Sequence, residues 1–174
     1  MQKGTEKSAP IRAGTEFKLM LALADGLTVL TDLEALAPPL PMLIAYWERK
    51  RGTRIMPAPS DIDPVEMPRL LPYIAIADIT CEPLDMRYRL MGTRLVEMGG
   101  VDRTGTSIRE AHSGERLAER LAALEHLLAS PGPVAHGGHL DWLDRGYRRF
   151  ECVHLPLSAD GVNVTRLIAA YAFP

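Results

Sequence analysis

Met86-Arg87-Tyr88-Arg89-Leu90-Met91-Gly92-Thr93-Arg94-Leu95-Val96-Glu97-Met98-Gly99-Gly100 decides how this chain is read. Its opening residues alternate. Arg87 and Arg89 point one way, and Met86, Tyr88 and Leu90 point the other, which is the period of a β-strand. Gly92 breaks the pattern. Thr93 to Met98 then reads as a helical turn, and Gly99-Gly100 ends it. A sheet that hands its chain to a short helix in this way commonly makes one wall of a small-molecule pocket.

Working towards the N-terminus, Tyr73 to Ile79 is rich in Ile and Ala and reads as a buried strand. Cys81-Glu82-Pro83-Leu84-Asp85 is the turn into the next. Asp63-Pro64-Val65-Glu66 is a helix start with Asp63 as cap and Glu66 able to reach back, and Pro68 and Pro72 keep it short. Before it, Pro41 opens a helix in which Leu40, Leu43, Ile44 and Trp47 recur at helical spacing. Arg49, Lys50 and Arg51 fill its last turn, where cations favour the negative dipole end, and Gly52 stops it. That basic run reads as a solvated helix end. Glu16 to Leu30 reads as an amphipathic helix weakened by Gly26, and Met1 to Thr15 is too polar to order itself.

Towards the C-terminus, Ser113 caps a helix that runs to about Ala129. Leu117, Leu121, Leu124 and Leu128 form its apolar stripe, and Ser130-Pro131-Gly132-Pro133 stops it. Three strands follow: Val134 to Trp142, Tyr147 to Leu157 and Val164 to Phe173. Leu143 to Gly146 and Ala159 to Asn163 are their turns. In the last strand Leu167, Ala169, Tyr171 and Phe173 share one face, and Ile168, Ala170 and Ala172 the other. An antiparallel sheet with one wet face would alternate polar and apolar residues. Both faces here must therefore be covered, and the Leu40–Trp47 helix is the natural cover for one of them.

The fold class expected is α+β: a five-stranded antiparallel sheet, short helices and one longer helix between its second and third strands, and an N-terminal helix on the far face. Residues 1–31 are expected to form an extension. Residues 32–174 are expected to be one domain, with the covering helix at 40–52.

Composition narrows the function. The chain has 174 residues, a net charge of −2, 47% apolar residues and 24% charged residues. That is an ordinary globular balance, and it gives no electrostatic case for nucleic acid. The most apolar window, Phe17 to Leu30, is shorter than the roughly 20 residues a membrane span needs and is interrupted by Lys18 and Asp25. No secretory leader is evident, so a cytoplasmic location is expected. The two cysteines, Cys81 and Cys152, form no CxxC and are expected to be reduced.

Four segments together resemble a known family. They are Tyr46-Trp47-Glu48-Arg49-Lys50-Arg51-Gly52; Met56-Pro57 with Ser60-Asp61-Ile62-Asp63-Pro64; Arg69-Leu70-Leu71-Pro72; and Tyr88 to Glu97 with Asp102, Thr104 and Gly105. The stretch from Leu40 to Phe173 resembles the PAS domain, and within it the bacterial PAS group 5 family. The resemblance implies a stand-alone sensory or interaction domain in bacterial signal transduction, a regulator without catalytic residues. It would bind a small apolar ligand, a separate signalling partner, or both. The alternative is a dimerisation scaffold with a filled core.

The residues add little chemistry to that. The serines lack a GxSxG context, and no glycine-rich phosphate loop is present. His136 and His139 are three apart on a strand and so point to opposite faces. His136 and His154 could be cross-strand neighbours, but no third ligand is evident, so they read as neutral surface residues with no metal. His126 lies away from the leucine stripe of its helix, which argues against haem. Neither cysteine sits on a short internal helix, which argues against a flavin adduct. No cofactor is expected. The candidate ligand wall is Tyr88, Leu90, Leu95, Met98, Leu117, Leu121, Leu124, Phe150, Cys152 and Tyr171, with Trp142 at its rim. Thr93, Arg94 and the Tyr171 hydroxyl would orient a ligand. Leu40, Leu43, Ile44 and Trp47 are the candidate homodimer interface.

Overall fold

Apolar side chains on both faces of the last strand force a three-layer arrangement, and the computed structural model shows it. The structure describes residues 28–140 and 145–174. Its strands are β1 (Thr28–Leu30), β2 (Ile74–Cys81), β3 (Leu84–Met91), β4 (Val134–Leu140), β5 (Arg145–Leu157) and β6 (Arg166–Ala172). Its helices are α1 (Leu40–Arg51), α2 (Thr93–Gly99), α3 (Ile108–Ala111) and α4 (Gly114–Ala129). Three single 3-10 turns lie between α1 and β2. All strand pairs are antiparallel, in the order β1-β4-β5-β6-β2-β3.

The sheet has six strands where the sequence suggested five. Thr28–Leu30 pairs with Ala135–Gly137 at the edge of β4, so these residues belong to the sheet rather than to a helical extension. The rest of the expected N-terminal helix, residues 16–27, lies outside the described residues, as do the polar N-terminus and residues 141–144, which take in the end of the expected 134–142 strand and the start of the expected 143–146 turn.

One face of the sheet presents Ala135, Val153, Leu155, Leu157, Ile168, Ala170, Ala172 and Ile74, and these pack against Leu40, Leu43, Tyr46 and Trp47 of α1. Trp47 is 1% exposed and donates from Nε1 to the Pro156 carbonyl at 2.8 Å, so its one polar atom is satisfied as its ring is buried. The basic end of α1 is held by local partners. Lys50 pairs with Glu66 at 2.6 Å and Arg51 with Glu48 at 2.5 Å, and Arg51 lies over the Trp47 ring. Glu66 therefore engages α1 rather than the cap of its own turn, where Asp63 alone accepts from Val65 at 2.9 Å.

The other face carries Phe150, Cys152, Tyr171 and Leu167, covered by α2, α3 and α4. Gly92 makes the strand-to-helix corner for a reason of space. Its N–H donates to Ile74 O at 2.8 Å, and a Cβ there would sit 2.3 Å from Pro72 O. Gly100 closes α2 in the left-handed region at φ 74°, the usual place for glycine.

Two local details differ from the sequence reading. Ser113 stands at the N-cap of α4 without a side-chain cap bond. Instead, Ser107 and Glu110 form a reciprocal capping box on α3. Glu110 also receives Arg87 of β3, Nη2 to Oε1 at 2.7 Å, so α3 is tied to the outer edge of the sheet.

Candidate functional site

A β-bulge decides which side chains reach the space between sheet and helices. Ile76 pairs with Leu90 and Ala77 with Tyr88, so Arg89 is an extra residue in β3. The alternation therefore slips there. Met86 and Tyr88 face the helices, while Leu90 turns to the α1 side and packs with Ile76 in the far core. The expected pairing of Tyr88 and Leu90 on one wall is broken.

Met86 and Tyr88 form one end of a cavity of about 260 Å³. Ile108 of α3 and Ala123, Leu124 and Leu127 of α4 form its apolar side. Arg103, Arg116 and Arg120 form a cationic side with His112 beside them, and His136, His154 and Tyr171 lie on the sheet. Arg116, Arg120, Ala123 and Leu127 recur three or four apart, so α4 turns one continuous stripe to the cavity. Arg116 is exposed, which opens that end to solvent. Among the described residues no carboxylate lines the cavity.

The electrostatics match this inventory. Burial raises the pKa of Tyr88, against the opposing charges of Arg120 and Arg103. Burial likewise holds the Tyr171 hydroxyl well above its ordinary value. Burial, with Arg120 adding to it, lowers His136 to about 4, and burial then His136 lowers His154 well below its ordinary value. Both imidazoles are thus neutral at pH 7.

His136 of β4 lies directly opposite Cys152 of β5, and His154 is two residues further along β5 on the same face. The two imidazoles stack at 4.9 Å between centroids and 8° between planes. A ligand atom from each of His136, Cys152 and His154 lies within 4.8 Å of the others. The Nδ1 atoms of both histidines are buried and, among the described residues, have no hydrogen-bond partner. The expectation of two surface histidines is therefore corrected. The missing third group was Cys152, hidden in sequence because it meets His136 only through strand pairing.

Of the residues singled out from sequence, Tyr88, Leu124 and Tyr171 line the cavity. Cys152 is fully buried next to it, with Phe150 and Met98 in the adjoining cluster. Leu95 is buried and Leu121 packs with Ile108 and Leu124, while Leu117 is half-buried; none of these three lines the cavity. Thr93 and Arg94 are exposed, and Arg94 pairs with Glu97 at 2.8 Å on the outside of α2. They do not orient anything in the cavity. The arginines that do face it are Arg103, Arg116 and Arg120. Trp142 lies outside the described residues.

The candidate interface residues are also placed differently. Leu40, Leu43 and Trp47 are at most 1% exposed inside the chain's own core, and Ile44 is half-buried against it. Three of the four therefore have no surface to offer a second copy. Helical spacing identified the stripe, but it does not distinguish a helix that covers its own sheet from one that meets a partner.

Among the described residues no helix is long and apolar enough to cross a membrane. No curated protein matches the chain. A family model described as a PAS domain does match, over residues 36–172, a span that takes in α1, the sheet from β2 onward and the whole cavity, and the chain belongs to that family of sensory and interaction modules.

Proposed function

We propose that this PAS domain is a non-catalytic sensor whose cavity takes a small organic acid. One observation carries the reading: a single cavity sets the cationic side chains of Arg103, Arg116 and Arg120 against the apolar Ile108, Leu124 and Leu127. An anion removed from water needs charged or hydrogen-bonding partners, and a carboxylate on a short hydrocarbon meets both sides of this cavity. The ligand expected from sequence, a small apolar one, would meet only the Ile108, Leu124 and Leu127 side of this cavity. The volume lies just under the usual range of roughly 300–1,000 Å³ for ligand pockets, which suits a metabolite-sized acid.

Bound acid would join α4 to the sheet through Arg120 and the two tyrosines. Such a bridge gives the signal a route to the helical layer, and from there to a second copy or a separate signalling partner.

The test is calorimetric titration of short-chain and aromatic carboxylates, each beside its neutral amide. The acids are expected to bind and the amides to bind weakly. Arg120→Ala should weaken the acids by about 10- to 100-fold, the worth of one charge-assisted hydrogen bond of roughly 1.5–3 kcal/mol. Equal binding of acids and amides would overturn the reading.

A further inference from the structure

Two neutral imidazoles and a thiol converge beneath the cavity, and the organic-acid reading does not use them. We propose that His136, Cys152 and His154 form a three-ligand nitrogen–nitrogen–sulfur site for one soft monovalent metal ion, Cu+, on the sheet side of the cavity. The inference is independent of the acid.

Three observations support it. The first is convergence: one ligand atom from each residue falls within 4.8 Å of the other two, and all three side chains share one face of two hydrogen-bonded strands. Metal–sulfur and metal–nitrogen bonds of about 2.3 and 2.0 Å put ligand atoms roughly 3.5–4 Å apart, so small side-chain rotations close the site.

The second is the unpaired nitrogen. Buried polar atoms nearly always have partners, yet both Nδ1 atoms lack one among the described residues. Stacked neutral imidazoles on a sheet face cannot satisfy each other. An ion at the edge of the two rings, reached by rotating them out of the stack, gives both nitrogens a partner.

The third is charge and softness. Thiolate selects soft ions. On binding, the Cys152 S–H bond breaks, its proton leaves to solvent, and Cu–S and two Cu–N bonds form with no change of oxidation state. Cu+ with one thiolate is neutral overall. A divalent ion would carry net positive charge into a cavity already lined by Arg103, Arg116 and Arg120, and Zn2+ would also want a fourth ligand. Among the described residues no carboxylate or second thiol lines the cavity to supply one.

The experiment is anaerobic titration of full-length Cys81→Ser protein with Cu+ against a competing Cu+ chelator, followed by X-ray absorption at the copper edge. Removing the exposed Cys81 thiol takes away the obvious adventitious ligand. One Cu+ per chain is expected, with one sulfur and two nitrogen neighbours. Adding Cys152→Ser should weaken retention by about 100-fold or more, because the soft ligand is lost. His154→Gln should weaken it as well, with the far-ultraviolet dichroism unchanged in both.

Should a variant fail to fold, the absorption spectrum of Cys81→Ser protein decides alone, since nitrogen and oxygen neighbours without sulfur overturn the proposal. Unchanged retention in Cys152→Ser also overturns it, as does tighter binding of Zn2+ than of Cu+. Arg120→Ala should keep the copper and weaken the acid, so failure of one reading is seen separately from failure of the other.

Discussion

Gly92 shows how much one residue can settle. Its backbone is not in the left-handed region; glycine is required there because the chain of the preceding turn passes too close for any Cβ. In Gly92→Ala the new carbon would meet Leu71 O at 2.4 Å and Pro72 O at 2.3 Å. Backbone cannot move aside as a side-chain tip can. Urea unfolding should therefore show a loss of about 3 kcal/mol, the upper end of overpacking costs. A loss under about 0.5 kcal/mol, the size of an ordinary surface change, would refute the close approach. Trp47 makes the complementary case. Trp47→Phe keeps most of the buried area and removes only the donor to the Pro156 carbonyl. A cost of about 1–3 kcal/mol is expected for the stranded acceptor, against about 3–5 kcal/mol for Trp47→Ala, which also opens a cavity. A Trp47→Phe midpoint equal to that of the unaltered protein would mean that the hydrogen bond contributes nothing.

At the scale of elements, the neighbouring strands β6, β2 and β3 are stitched together by Asp78. Arg166 donates to one oxygen at 2.7 Å and Arg89, the bulge residue, to the other at 3.1 Å. Burial pushes the carboxyl pKa up, but the hydrogen bonds from Arg166 and Arg89 outweigh it and hold the value below the ordinary one. The folded state then binds the proton less readily than the unfolded chain. The contribution is fully present above about pH 4 and disappears as pH falls through the depressed folded value. Asp78→Asn should flatten that acid limb in thermal melts from pH 2 to 7. Because the group is partly exposed, the cost at pH 7 should stay near 1 kcal/mol or less. An unaltered acid limb would show that the bridge is absent in solution. The same strand illustrates a limit of pattern reading. Alternation correctly identified β3, but the bulge at Arg89 sends Leu90 to the opposite layer from Tyr88.

At the scale of the whole molecule, the sheet is a partition between two chemically different layers. The α1 side is an apolar core, and the α4 side holds a cavity with arginine and imidazole groups. The cysteines report on this partition. Cys81 is exposed at the end of β2, whereas Cys152 is fully buried and its thiol is pushed up by burial. A disulfide reagent should therefore titrate one thiol quickly in native protein and the second only in denaturant. Two fast-reacting thiols would mean that the α4 layer opens readily.

What local chemistry dictates was legible in the chain itself. Strand and helix positions, the Asp63 cap, the Gly92 corner and the need to cover both faces of β6 all follow from spacing and residue type within short windows. So does the presence of a pocket wall at Tyr88, Leu124 and Tyr171. The capping box Ser107–Glu110 also follows from its three-residue spacing. What depends on register between distant strands was not legible. The pairing that sets His136 against Cys152, the slip that turns Leu90 away, the short β1, and the turn of α4 that aims Arg116 and Arg120 inward are decided only when the elements pack. Each of these comes from a one-residue choice of face, and a single residue reverses a strand's facing while shifting a helix's by about 100°.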